Sequence, residues 1–197
     1  MNVLKKILLM ILVVVVPGLV GAFIFSPYGS HEGFAYKMVK HTVEINVPAD
    51  SVYKYLGNSA HAHDWSVFVD HISPLNADSF PDGAPGSRRR CFQQADEKGT
   101  QWDELVTIVE PGKRRQLTIY NLKDFSMQAE NLATEQLYSA PAPGKCTLTF
   151  TMFFLDGKST TWDEMKTYIG AFKVKNIFAK NMNNIKRITE EKYGKRG

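Results

Sequence analysis

Phe178, Met182, Ile185 and Ile188 recur at helical spacing near the C-terminus, with Lys180, Asn184, Lys186 and Arg187 between them. Apolar positions at i, i+4, i+7 and about i+10 describe a long helix, residues 160–193, that buries one stripe and wets the other. Upstream the phase changes. At about 100° per residue, Met165, Ile169 and Phe172 share one side, whereas Val174, Ile177, Phe178 and Ile185 lie roughly opposite. The pattern therefore predicts a break or bend near residues 170–173, with a short helix over 162–170 before the long one. Thr161-Trp162-Asp163-Glu164 has the form of a capping box that opens it. Such a short segment would lid a cavity, touch a membrane or pack on the domain edge.

Between residues 42 and 154 the period is two rather than 3.6. Val43, Ile45 and Val47 alternate with polar residues and mark a strand that Pro48 ends. Asp50 is a candidate N-cap for a helix over 51–56, with Val52, Tyr55 and Leu56 on its buried side. Gly57-Asn58 stops it, and Asn58 or Ser59 would cap a second short helix reaching His63, just before Trp65. Strands follow near 68–73, 87–94, 101–109, 116–122, 126–139 and 145–154. They are separated by Pro81-Asp82-Gly83, Glu97-Lys98-Gly99, Glu110-Pro111-Gly112 and Ala140-Pro141-Ala142-Pro143-Gly144. Short turns between successive strands make an antiparallel meander. A sheet with one apolar face needs a cover, and the C-terminal helix is the element long enough to supply it. A sheet that curls around that helix leaves a cavity between them.

The N-terminus has a different pattern. An uncharged apolar run opens at Ile7, closes at Phe25 and follows Lys5 and Lys6. Residues 7–25 would span roughly 28 Å as a helix, close to a bilayer core. We read residues 1–6 as a cytoplasmic N-terminus, 7–25 as a transmembrane anchor kinked at Pro17, 26–40 as a juxtamembrane tether and 41–193 as the domain. Lys5 and Lys6 place the domain extracytoplasmically. The alternative is secretion after signal-peptide cleavage at Val20-Gly21-Ala22.

Composition narrows the function classes. The chain has 197 residues, 44% hydrophobic and 12% aromatic, which is ordinary for a globular domain with a core. A net charge of +4 is mild and scattered, and no nucleic-acid motif accompanies it, so nucleic acid is not an expected partner. Cys91 and Cys146 stand in separate strands without a C-x-x-C motif, and are expected to be free thiols.

Taken in order, these segments resemble a known family. Val43-Glu44-Ile45-Asn46-Val47-Pro48-Ala49-Asp50-Ser51-Val52-Tyr53-Lys54-Tyr55-Leu56 with Trp65 is similar to the opening of the START-related SRPBCC superfamily. So are Gly99-Thr100-Gln101-Trp102-Asp103-Glu104 and Glu110-Pro111-Gly112-Lys113-Arg114-Arg115 to its fourth strand and following turn, and Phe178-Ala179-Lys180-Asn181-Met182-Asn183-Asn184-Ile185-Lys186 to its closing helix, with Asn181 where a Gly is common. The resemblance is strongest to polyketide cyclase/dehydrase-like and lipid-transport members. It implies an α+β helix-grip fold, in which seven antiparallel strands wrap around the last helix and the first strand pairs with the last. It also implies a hydrophobic cavity for a lipid, sterol, polyketide or similar small molecule.

The candidate cavity residues are Trp65, Phe68, Trp102, Val106, Ile119, Phe150, Met152, Phe154 and Phe178, of which about half are expected to line it. Trp65 also reads as a core anchor. No nucleophile elbow, phosphate loop or paired carboxylates are present, and no cofactor or metal is implied. On a helix the side chains of His61 and His63 point about 200° apart, which disfavours a metal pair. An enzyme reading rests on His63 or on Glu104, a carboxylate that shares a strand face with Trp102, Val106 and Ile108. Arg88-Arg89-Arg90 and Lys113-Arg114-Arg115 form either a basic patch for anionic headgroups or a solvated face. The expected function is membrane-anchored binding of a hydrophobic small molecule or lipid. A polyketide cyclase/aromatase-like enzyme and a ligand-free interaction module are the alternatives.

Overall fold

The computed structural model describes residues 3–125 and 129–194. The chain opens with α1 (Val3–Met10), a π-helical turn (Ile11–Val15) and α2 (Val16–Ile24), which follow one another without a loop. The π turn lies just before Pro17 and is closed by the Val16 N–H donating to the Ile11 carbonyl. A proline lacks the N–H of the regular ladder and its ring crowds the carbonyl four residues back, so a local change of pitch here has a direct cause. Among the described residues, no single helix is both long and apolar enough to cross a membrane.

Among the described residues eight antiparallel strands follow: β1 (Tyr28–Gly29), β2 (Met38–Ile45), β3 (His71–Pro74), β4 (Arg88–Phe92), β5 (Gln101–Glu110), β6 (Arg114–Lys123), β7 (Leu132–Ser139) and β8 (Cys146–Phe154). Their order is β1-β2-β8-β7-β6-β5-β4-β3. The first long strand, β2, pairs with the last, β8, as the helix-grip resemblance implies. The sheet has one strand more than the seven expected. Tyr28 is buried against Phe154 and Tyr168, which draws the presumed tether down onto the edge of β2 as β1. β2 begins at Met38, before the Thr42 start expected from alternation, because Met38 and Val39 are also buried. The start of the strand expected over 126–139 lies partly outside the described residues, and β7 begins at Leu132.

Between β2 and β3 the chain forms α3 (Ala49–Gly57), a 3₁₀ turn (Ser59–His61) and α4 (Ala62–Trp65). Val52, Tyr55 and Leu56 form the buried side of α3, as their spacing predicts. Asp50 is not its cap: the helix starts at Ala49 behind Pro48, with no side-chain cap. Asn58 does cap the 3₁₀ turn, its Oδ1 accepting from the Ala60 N–H.

The C-terminal helix corrects a larger expectation. α5 runs unbroken from Thr161 to Tyr193, with no bend at residues 170–173. Its cap is Thr160, whose Oγ1 accepts from the Asp163 N–H, one residue earlier than the capping box suggested. The change of apolar phase marks two different faces of one helix. Met182 and Ile185 are fully buried against Ile45, Tyr55 and Leu148. Trp162, Met165, Ile169 and Phe172 are exposed.

Ile185→Ala is therefore expected to cost about 2–5 kcal/mol in urea unfolding of the full chain. Ile169→Ala is expected to change stability by no more than about 0.5 kcal/mol. Comparable losses at both positions would contradict the division of α5 into a buried and an exposed face.

Candidate functional site

α3 and the C-terminal half of α5 fill one end of the sheet's concave face. The other end holds a cavity of about 300 Å³ between the strands and the N-terminal half of α5. Alternation places Leu117, Ile119, Phe150 and Met152 on its strand wall. Gly170, Ala171, Val174, Ile177 and Phe178 face it from α5. Phe68, Trp102 and Phe125 form an aromatic group on one side, with ring centroids 5.4, 5.7 and 6.2 Å apart. Lys173, exposed, lies over the Phe68 ring at 5.7 Å and also lines the cavity, so it stands at the rim.

The mostly apolar wall holds the buried ion pair Arg89–Glu104; Glu135 and Lys166 also line it, paired with Arg114 and Asp163. Arg89 Nε donates to Glu104 Oε2 at 2.8 Å, and the Trp102 indole N–H donates to Glu104 Oε1 at 3.0 Å. Arg89 is 9% and Glu104 8% exposed. Each carboxylate oxygen thus has a donor and the two charges cancel, which is what makes them tolerable beside an apolar space. Burial, and then the Glu104 charge, push the neighbouring Cys91 thiol well above its ordinary pKa, so it stays protonated at neutral pH. Cys146 is pushed up to about 11 by burial. Both thiols are free, on strands separated by three others. Further along the wall, Gln136 Oε1 accepts from the Tyr138 hydroxyl (2.6 Å) and from Arg115 Nη1 (3.3 Å). The Trp65 indole N–H is buried and has no hydrogen-bond partner among the described residues.

Of the nine residues expected from sequence, Trp65, Phe68, Trp102, Ile119, Phe150, Met152 and Phe178 line the cavity. Val106 is fully buried outside its lining, and Phe154 packs with Tyr28, Val39 and Ala171. Glu104 lies in the cavity wall, held by Arg89. Ile108 does not share its face: a register irregularity between Val106 and Ile108 turns Ile108 toward the convex side, beside Phe34 and Phe153. His63 is exposed and outside the cavity, with Nε2 3.0 Å from Asp64 Oδ1. His61 stacks on Tyr55 at 4.5 Å. Among the described residues, no group of three or more His, Cys, Asp or Glu side chains is placed to hold a metal.

The two basic triplets do not make one patch. Arg89 turns inward, and Arg90 pairs with Asp103 across β5. Arg114 pairs with Glu135, and Arg115 is buried against the Tyr53 ring at 4.8 Å. Sequence reasoning missed Arg89 as a cavity residue, although a signal existed. Two residues apart on a strand, Arg89 must share its face with Cys91, an apolar position.

The sequence model of the family described as polyketide cyclase/dehydrase and lipid transport matches residues 38–190. The chain belongs to that family. No curated protein matches the sequence significantly. Several solved structures share the fold. The Zhui aromatase/cyclase of Streptomyces sp. R1128 is 17% identical, with a TM-score of 0.60 over 79% of this chain and 94% of that one. A norcoclaurine synthase point mutant of Thalictrum flavum, in complex with a transition-state analogue, is 11% identical, with a TM-score of 0.61 over 82% and 99%. A protein from Thermobifida fusca is 17% identical, with a TM-score of 0.61 over 78% and 93%. These identities establish the helix-grip-like fold; what each neighbour acts on is a property of that neighbour.

Two predictions test the polar wall. Glu104→Leu strands the Arg89 charge and should cost about 3–5 kcal/mol in urea unfolding, whereas Arg89→Met/Glu104→Leu should recover most of that loss. A disulfide reagent such as Ellman's should react with neither Cys91 nor Cys146 in the native chain and with both after unfolding. Fast reaction of Cys91 in the folded state would contradict its placement.

Proposed function

We propose that this chain binds a hydrophobic small molecule or lipid in the cavity under α5, beside a membrane entered by residues 7–25, and that binding requires no catalysis. The observation that carries this reading is a largely apolar space whose buried charges are paired, Arg89 with Glu104 above all. Apolar ligand surface leaving water for such a wall contributes about 25 cal/mol per Å² before ordering costs. The aromatic group of Phe68, Trp102 and Phe125 supplies the largest ligand-facing surface.

The membrane part of the proposal rests on residues 7–25. The side chains of Ile11, Leu12, Val13, Val14, Leu19, Val20 and Ile24 are all exposed. Uncharged, apolar side chains without protein cover are suited to lipid. The π turn before Pro17 is a device that membrane helices tolerate, because neighbouring backbone groups remain paired. Lys5 and Lys6 favour a cytoplasmic N-terminus and an extracytoplasmic domain. The intact mass of the mature chain separates anchoring from cleavage and secretion.

A cyclase-like enzyme is the second reading, favoured by the Glu104 carboxylate and Arg89 in the cavity wall. Glu104→Gln would then abolish turnover of a cyclisable substrate while ligand binding persists.

A cavity-filling variant tests the binding proposal. Gly170 lies on α5 at the cavity, where a leucine would occupy ligand space and raise helix propensity by about 0.5–1 kcal/mol. Cis-parinaric acid, a fluorescent polyene fatty acid, should quench Trp65 and Trp102 saturably in the full chain in detergent. Gly170→Leu should raise its Kd about tenfold or more, since excluding even part of the ligand forfeits over 1.4 kcal/mol, at an unchanged or higher Tm. Equal affinity for the two chains would contradict binding in the cavity, and no saturable binding to either would favour an interaction module.

A further inference from the structure

The exposed side of α5 has a composition that a water-facing helix does not need. Trp162 is 65% exposed, Met165 41%, Ile169 45% and Phe172 45%. At about 100° per residue, these four fall within an arc of about 80°. They form a continuous apolar stripe at the start of α5, on the side away from the core.

The position of α2 indicates what covers this stripe. The Phe23 ring packs on Tyr168 of α5 at a centroid distance of 4.9 Å, one step round the helix from Phe172 and Ile169. Ser26 Oγ donates to the Tyr168 carbonyl at 2.7 Å, and two residues later Tyr28 is buried. The chain thus leaves α2 and enters the domain without slack. Ile24 and Phe25, which follow Phe23 in the chain, are 70% and 77% exposed. A bilayer that receives residues 7–25 lies within about one helix diameter, 10–12 Å, of the stripe. Tryptophan at the edge of such a stripe matches the interfacial region of a membrane, and lysines beside it match anionic headgroups. Lys173, exposed, and Lys166, paired with Asp163, lie next to the stripe on the helix, and both line the cavity.

We infer that Trp162, Met165, Ile169 and Phe172 seat the start of α5 on the same bilayer, with the cavity rim at Lys166, Gly170 and Lys173 turned to its surface. Ligand then passes between lipid and cavity without crossing bulk water. The inference rests on the anchor proposed above. It adds that the domain itself is docked on the membrane rather than swinging on a tether. It also accounts for the apolar phase change in α5: the N-terminal half turns apolar side chains to lipid on one side and to the cavity on the other, whereas the apolar side chains of the C-terminal half meet the core.

Site-specific labelling in the full chain tests this, because both native cysteines are buried. Ile169→Cys, Glu191→Cys and Val14→Cys would each carry an environment-sensitive fluorophore. The protein would be reconstituted in phosphatidylcholine vesicles containing roughly a quarter phosphatidylglycerol. Glu191 is an exposed control on the same helix, about 33 Å beyond Ile169. Val14 reports the anchor. Docking predicts that doxyl-labelled lipid quenches the Ile169 fluorophore at least about threefold more than the Glu191 one, and that aqueous iodide does the reverse. If the Val14 fluorophore is lipid-quenched while that at 169 behaves like that at 191, the docking is wrong and the anchor stands. If neither 14 nor 169 meets lipid, both fail. Shielding of 169 from lipid and iodide alike would assign the stripe to a second copy of the chain and overturn the membrane assignment.

Discussion

A strongly bent antiparallel sheet has a concave face that one helix cannot fill along its whole length. The helix reaches its packing distance at one end, where Met182 and Ile185 settle among Ile45, Tyr55 and Leu148 with α3 beside them. At the other end Ala171 and Gly170 present almost no side chain to the strands, and the separation stays open as a cavity. Interiors normally close to high density because voids forfeit dispersion contacts. A cavity bordered by small helix residues and aromatic strand residues is thus a costly feature that a ligand would offset.

The same economy governs the polar groups. Arg89 and Glu104 stand opposite each other on β4 and β5 in the strand register, and Trp102 on the same face completes the carboxylate's partners. Removing either charge leaves the other facing an apolar wall, and removing the Trp102 donor leaves one carboxylate oxygen unsatisfied, so the three residues act as a unit. On the outer face, burial alone would raise the pKa of Asp103, but donors from Arg90 and Asn121 outweigh it and hold the carboxyl below its ordinary value. Its pairing contributes stability at neutral pH that is lost as pH falls through that lowered pKa.

Much of this architecture was legible in the residues. Period-two alternation located the long strands, and the order of strand, short helices, Trp65, meander and long helix pointed to the helix-grip arrangement with β2 against β8. Other features were not legible, for physical reasons. The alternation of Cys146, Leu148, Phe150, Met152 and Phe154 tells which face is apolar, but not which of those residues meets empty space and which meets another side chain. That depends on where α5 lies, so Phe154 and Val106 could not be separated from Phe150 and Trp102. The fate of Arg89 depended on its partner being Glu104, a matter of register between strands. The supposed break in α5 failed because a straight helix whose apolar residues pass from an exposed face to a buried one produces the same phase shift as a bend. Tyr28 was hidden in a segment rich in Gly, Pro and Ser, where composition suggests a tether and only a tertiary contact makes a strand.

The central claim is that the space under α5 is a binding site. Native mass spectrometry of the full chain, released from detergent micelles after gentle purification, tests it most directly. The account predicts a species heavier than the 22.2 kDa chain by one hydrophobic small molecule, recoverable by organic extraction. A bare chain mass that persists after incubation with membrane lipids would contradict it.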